Sequence, residues 1–275
     1  MTAELVTVNI QAGVADVRLN RPDKMNALSI PMFDAIAEAG KQLVSNRKIR
    51  AVVLSGEGAS FCAGLDLENF ADPQAFADPF GPGRGGFTPN FYQACAAVWA
   101  EVPVPVICAL HGVVYGGGLQ IALGADIRIA HPGSRLSLME VKWGLVPDMG
   151  ASQNLRDLVR LDVAKELMFS GRIVAAEEAR QLGLVTRLHD APREAALKMA
   201  VEIASRNPDA VCFGKYLLNN TWHGDRHRGL QTEEYIATRV LHSHNQKEAV
   251  MAQLEKRTAA FSERQITDFN DISID

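Results

Sequence analysis

The stretch Val104-Pro105-Val106-Ile107-Cys108-Ala109-Leu110-His111-Gly112-Val113-Val114-Tyr115-Gly116-Gly117-Gly118-Leu119-Gln120 decides how the fold is read. It begins as a buried-strand run, Val104–Leu110, is stopped by Gly112, and reaches three consecutive glycines before a helical run, Leu119–Leu123. Consecutive glycines cost backbone entropy and need a reason. One reason is a helix N-terminus whose free N–H groups face a ligand oxygen. The other is close packing of a strand–helix turn. The glycines alone weigh these two equally. A second punctuated turn, Ser60-Phe61-Cys62-Ala63-Gly64-Leu65-Asp66-Leu67, follows the run Ala51–Leu54. One amide from each turn would make an oxyanion hole for a polarised carbonyl.

Outward from these turns, short apolar runs alternate with helical patterns. Leu5–Ile10 and Val14–Leu19 read as a hairpin around Gln11-Ala12-Gly13. Pro31 to Val44 has helical spacing with Ser29 as its N-cap, and Ile127–Ala130 and Leu136–Leu138 are further strands. Strands separated by helices predict crossover units and a mainly parallel sheet, hence an α/β fold. Beyond about Pro147 the pattern is helical: Ala175–Leu182, Arg193–Arg206, Asp209–Leu218, Leu230–His242 and Lys247–Phe261. Between Asp72 and Pro89 the prolines and glycines predict a long irregular loop. Its Gly81-Pro82-Gly83-Arg84-Gly85-Gly86 matches a dinucleotide fingerprint literally, but it follows no strand, opens no helix and loses an amide at Pro82.

Composition bounds the rest. The 275 residues include 28 Lys+Arg, 32 Asp+Glu and 47% hydrophobic residues, enough for a sizeable core and too apolar for a disordered chain. A net charge of −4 gives no electrostatic case for nucleic acid or an anionic membrane as partner. Cys62, Cys95, Cys108 and Cys212 lie far apart and form no C-x-x-C pair, so free thiols are expected. The first residues carry no secretory pattern, no run is long enough to span a bilayer, and the last residues are no peroxisomal or ER address. The expected compartment is the cytoplasm.

Two acids stand out because a mostly apolar stretch separates them: Glu140 and Asp148. A carboxyl in apolar surroundings has a raised pKa and can shuttle protons near neutrality; the alternative is an exposed or ion-paired group, with Lys142 at hand. Other templates fail. There is no Gly-x-Ser-x-Gly elbow and no His-Glu-x-x-His. His223 and His227 are spaced for one helix face, but Gly224 intervenes and no third ligand is near, so no metal site is expected. His111 reads as a packed histidine, and Cys62 as a small packing residue without a base to activate it.

Taken in order, these segments resemble the enoyl-CoA hydratase/isomerase (crotonase) family almost end to end. The resemblance is carried by Leu19-Asn20-Arg21-Pro22 with Asn26-Ala27-Leu28, Phe61 to Leu67, Gly112 to Gly118, Ala125 to Ala130, Gly144-Leu145-Val146-Pro147, and Lys256-Arg257 with Phe261. It implies a ClpP/crotonase-like fold, with a ββα spiral core over residues 1–200 and a helical trimerisation or capping part over 201–275. It implies a homotrimer or dimer of trimers acting on an acyl-CoA thioester, with no cofactor beyond the substrate's own coenzyme A. By motif position, the backbone N–H groups of Leu65 and Gly117 would form the oxyanion hole. Lys24, Met25, Ala63, Asp66 and Leu67 would contact the CoA moiety, and the loop after Leu67 would line the acyl pocket.

One position departs from the pattern. Hydratases of this family carry glutamates at two positions; here the first is Gln120 and the second Glu140. Gln120 can position a group by hydrogen bonding but takes no proton at neutral pH. Asp148 falls where dienoyl-CoA isomerases of the family place a catalytic aspartate, although those enzymes also keep an acid at the first position. The expected function is double-bond isomerisation of an enoyl- or dienoyl-CoA, with Glu140 and Asp148 as proton shuttles and Gln120 beside them. The alternatives are hydration with Glu140 as main acid and base, another acyl-CoA reaction such as thioester hydrolysis or decarboxylation, and non-catalytic acyl-CoA binding.

Overall fold

The computed structural model describes residues 4–71 and 89–265, so the Pro/Gly-rich loop with its fingerprint-like glycines lies outside the described residues. The chain opens with the expected hairpin, β1 (Val6–Gln11) and β2 (Val14–Leu19). Its turn residues Ala12 and Gly13 both have positive φ, 49° and 81°, which matches a tight turn to the twist of the strands. Helix α1 (Ile30–Ser45) starts after Ser29, whose hydroxyl makes no capping bond, and β3 (Ala51–Gly56) then pairs parallel to β2. Helix α2 (Phe91–Glu101) is closed by a reciprocal capping box between Asn90 and Gln93.

The central stretch follows as β4 (Val106–Leu110), β5 (Val113–Tyr115), α3 (Gly117–Leu123), β6 (Ile127–Ala130) and β7 (Arg135–Ser137). Next come a 3-10 turn (Glu140–Trp143), α4 (Ala151–Leu155), α5 (Leu161–Ser170), β8 (Val174–Ala175), α6 (Ala176–Leu182) and β9 (Arg187–Leu188). Helices α7 (Pro192–Ala204), α8 (Pro208–Thr221), α9 (Arg226–Val240) and α10 (His244–Leu254) complete the chain.

The larger sheet runs β1-β2-β3-β4-β6-β9, antiparallel only in the first pair. The smaller sheet runs β5-β7-β8. Isolated bridges Leu28–Leu65 and Cys62–Val114 tie the two punctuated turns into this framework. One face of the large sheet packs on α1 and α2 through buried Leu19, Leu54, Phe33, Ile36 and Trp99. The other face takes α7, whose Ala196, Ala200 and Ala204 recur every four residues and let the helix settle close on Val53, Ile107 and Ile129. Helices α8 and α9 share a small separate core at Phe213 and Ile236.

A buried polar strap joins the helical tail to the rest. Asp209 accepts from Asn245 Nδ2 and Gln265 N–H, and Arg50 and Arg47 reach the carbonyls of Phe261 and Arg264. Helix α10 stops at Leu254, short of the expected Phe261. Lys256 turns to φ 54°, and the Glu248 carboxylate gathers Arg257 and the Ala260 N–H, which pulls the chain out of the helix. The pattern did not announce α2, because it lies between α1 and α3 and carries apolar residues on most sides. Strand β5, expected as part of a glycine turn, is three residues held by parallel pairing with β7.

Among the described residues, no helix is long and apolar enough to cross a membrane. No group of three or more His, Cys, Asp or Glu among them is arranged to hold a metal. His223 and His227 do not share a helix face: His223 lies in the turn after α8, and His227 in the first turn of α9. His223 Nε2 instead meets Asp157 Oδ1 at 2.5 Å.

Candidate active site

The two glycine turns meet at a cavity of about 370 Å³, lined by Lys24, Met25, Ala63, Leu65, Asp66, Leu67, Gly117 and Glu140, with Trp143 and Leu145 at its edge. Of the residues expected at the site, neither Gln120 nor Asp148 is among the lining residues: Gln120 is buried on α3, and Asp148 is exposed on the loop entering α4, near enough for its charge to act on Glu140.

Both explanations for the glycines apply, at different positions. A Cβ on Gly118 would come within 2.7 Å of Cys62 Cβ and 2.8 Å of Cys62 O, so this glycine is required by packing. Gly116 adopts φ 50°, a conformation side chains disfavour, and swings the chain from β5 into α3. Gly117 then opens α3 with its N–H free, because the first amides of a helix have no intrahelical acceptor. Neither the Gly117 N–H nor the Leu65 N–H has a hydrogen-bond acceptor among the described residues. Leu65 is fixed by its neighbours, Gly64 O accepting from Leu28 N–H and Asp66 N–H donating to Leu28 O. Leu65 and Gly117 both line the cavity, and two such amides turned toward one carbonyl oxygen would make an oxyanion hole.

Glu140 is buried at the start of its 3-10 turn. Its Oε1 accepts from Gln120 Nε2 at 2.6 Å, while Oε2 is buried without a partner among the described residues. Burial pushes the Glu140 carboxyl above the ordinary glutamate value; its own backbone N–H and Gln120 oppose this, and the nearby Asp148 charge adds to it. Asp148 keeps exposed surface, yet desolvation of its carboxyl raises it as well, against a bond from its own N–H. Gln120 Oε1 accepts from the N–H groups of Met149 at 2.8 Å and Ala151 at 3.3 Å. These amide contacts carried no sequence signal, because the partners lie some thirty residues away.

The CoA-side residues divide by their engagements. Asp66 is buried, paired with Arg21 at 2.5 Å and bonded to the Glu68 N–H. Burial works to raise its carboxyl, but these bonds outweigh it and hold it below the ordinary value. Lys24 pairs with Glu68 at 2.7 Å in the open, a contact that solvent and salt screen, so its ammonium is available to an anion. Met25 is half-exposed at φ 48°. Its neighbour Asn26, fully buried at φ 55°, donates to the carbonyls of Glu57, Ser60 and Phe61 and accepts from Arg21 N–H. Asn26 thus fixes the Glu57–Phe61 segment that leads into the Ala63–Leu67 turn, a role its place in the Asn26-Ala27-Leu28 stretch hinted at without specifying. The Cys62 thiol is buried, bonds Asn26 O and is pushed up to about 12 by desolvation, which fits packing and not nucleophilic attack. His111 bonds the Gly58 carbonyl at 3.0 Å.

Comparison with known proteins identifies the family. A family model described as enoyl-CoA hydratase/isomerase matches residues 9–264. The chain is 31% identical over 252 residues to the mitochondrial methylglutaconyl-CoA hydratase of Mus musculus, covering 89% of this chain and 78% of that protein. It is 30% identical over 273 residues to the peroxisomal Delta(3,5)-Delta(2,4)-dienoyl-CoA isomerase of Arabidopsis thaliana, covering 95% and 97%. The crystal structure of an enoyl-CoA hydratase from Bacillus anthracis superposes with a TM-score of 0.84 at 30% identity, over 94% of this chain and 98% of that one. The chain therefore has the crotonase fold and belongs to the enoyl-CoA hydratase/isomerase family of acyl-CoA enzymes.

Proposed function

We propose that the protein shifts double bonds in an enoyl- or dienoyl-CoA, with Glu140 and Asp148 moving the protons. The observation that supports this reading is a second carboxyl close to the buried Glu140 of the cavity lining: Asp148, exposed on the neighbouring loop, is near enough for its charge to raise Glu140, and desolvation holds both above their ordinary values. A thioester carbonyl oxygen bonded to the Leu65 and Gly117 amides would have its adjacent C–H acidified. One carboxylate takes that proton, and the electron pair moves through the conjugated carbons onto the carbonyl oxygen as an enolate or dienolate. The hole stabilises that charge where it develops. The other carboxyl, protonated, returns a proton at a more distant carbon, the double bonds settle one position along, and no atom is gained or lost. Pairs of carboxyls whose environments set them apart from ordinary values suit acid and base roles near neutrality. The CoA moiety would run along Ala63 to Leu67, with Lys24 and Met25 at its side.

Hydration is the second reading, favoured by the names of several relatives and by Glu140, which could deprotonate a water. It lacks a second proton carrier at position 120, where the side chain is an amide. Product analysis separates the readings. With 2-enoyl-, 3-enoyl- and 3,5-dienoyl-CoA supplied in turn, isomerisation leaves product mass unchanged, hydration adds one water, hydrolysis frees the CoA thiol and decarboxylation loses carbon dioxide. Conversion of a 3-enoyl- or 3,5-dienoyl-CoA at constant mass supports isomerisation. Water addition to 2-enoyl-CoA as the sole fast reaction would replace it.

The same proposal includes assembly as a homotrimer or dimer of trimers through residues 201–275, and a cytoplasmic location. Light scattering of the purified protein and localisation of a tagged chain are the respective tests.

A further inference from the structure

We infer that Gln120 is a positioning residue: it holds Oε1 of Glu140 so that Oε2 alone exchanges protons, and it locks the same carboxyl to the chain leaving Asp148. The proposal rests on the isomerase reading for its chemistry and on geometry for its substance. Gln120 is 1% exposed and lies outside the cavity lining, so it acts through neighbours and not on substrate. Its amide orientation is dictated by its partners. Nε2 faces the Glu140 carboxylate at 2.6 Å, and Oε1 faces the two N–H groups of Met149 and Ala151. Turned over, its NH2 would confront two donors and its oxygen a carboxylate. Next to Oε1 of Glu140, Gly116 offers no side chain, and a Cβ there would lie 3.5 Å from that Glu140 oxygen. Oε1 is thus occupied by one fixed donor, whereas Oε2 is buried and without a partner among the described residues.

The second half of the link runs along the backbone. Asp148 is followed immediately by Met149, and Gly150 takes φ 92° before Ala151 begins α4. By accepting from residues 149 and 151, Gln120 fixes the turn that presents Asp148 while it fixes Glu140. One buried amide therefore sets the relative placement of both carboxyls. It also supplies the one side-chain donor that favours the ionised form of Glu140.

The test compares wild type with Gln120→Met, which keeps length and volume without hydrogen bonds, and Gln120→Glu, which keeps the acceptor but places a carboxyl against Glu140. Glu140 is followed by NMR of carboxyl-13C-labelled glutamate in the free protein, assigned with Glu140→Gln. Its midpoint is expected to rise by about one pH unit in Gln120→Met, the scale of one hydrogen bond to a charged group, and further in Gln120→Glu. The acid limb of kcat/KM for the isomerised substrate should move by the same amount, with kcat reduced and KM changed less than two- to threefold. A Glu140 midpoint that coincides in wild type and Gln120→Met would overturn the proposal, since a space-filling residue leaves that midpoint in place. If the midpoint moves but wild type isomerises no substrate, the positioning role stands and the isomerase reading falls. If wild type isomerises and the midpoint does not move, only the positioning role falls.

Discussion

Gln120 Nε2 donates to Glu140 Oε1 at 2.6 Å, which joins the residue at the family's first acid position to the one at its second. On the proposed isomerase reading, the side chain at 120 positions the acid at 140, and the second proton carrier is Asp148, the neighbouring carboxyl whose charge raises Glu140.

Glu140→Gln should lower turnover by about 10²–10⁴-fold, the usual contribution of a general acid or base. Binding of a non-reacting acyl-CoA, followed by calorimetry, should change little, because the amides of Leu65 and Gly117 and the residues around Lys24 are untouched.

The same substitution should stabilise the fold. Glu140 has a raised pKa in the folded protein, so the folded state binds the proton more tightly than the unfolded chain. Its contribution to stability is greatest below the ordinary glutamate value and declines as pH rises toward the folded value. At pH 7 the buried charge is a net cost of about 1.4 kcal/mol for each unit of elevation. Glu140→Gln, whose amide oxygen still accepts from Gln120, should raise Tm at pH 7 by a few degrees, and the gain should vanish near pH 4. Equal Tm values at pH 7 would contradict the buried-charge account.

Activity should depend on pH in the matching sense. A carboxyl acting as base must be ionised, so the acid limb of kcat/KM should lie above the ordinary glutamate value of 4.5. A limb at or below that value would place the base in open solvent.

Gly118→Ala should destabilise by about 1–3 kcal/mol, the range for overpacking a filled core. The added methyl would meet both the side chain and the backbone of Cys62, so trimming Cys62 to Ala should restore only part of the loss. Denaturant unfolding of the single and double variants measures this.

The four cysteines should resist alkylation in the native protein. All are buried, and desolvation raises Cys62, Cys95, Cys108 and Cys212 alike. Intact-mass analysis after iodoacetamide should find no label without denaturant, and four labels with it.

Much of this architecture was legible in the sequence. Strand periodicity located β2 and β6 to the residue, since their alternation and flanking turns are local. The glycines of the two turns, and Glu140 with Asp148, could be named from spacing and apolar context. What could not be read was tertiary. Helix α2 is apolar on most sides because of what surrounds it. Strand β5 exists because β7 is there to pair with. Gln120's partners lie 20 to 31 residues along the chain, and only the fold makes them neighbours. The sequence could mark Gln120 as unusual but not say what its amide holds.

The central claim is that Glu140 and Asp148 together move protons on an unsaturated acyl-CoA. It is tested most directly by measuring isomerisation of 3,5-dienoyl-CoA and hydration of crotonyl-CoA side by side, in wild type and in Asp148→Asn. The account predicts that isomerisation is the faster reaction and that Asp148→Asn lowers it by about 10²-fold or more. Fast hydration of crotonyl-CoA, unaffected by Asp148→Asn and without dienoyl-CoA turnover, would contradict it.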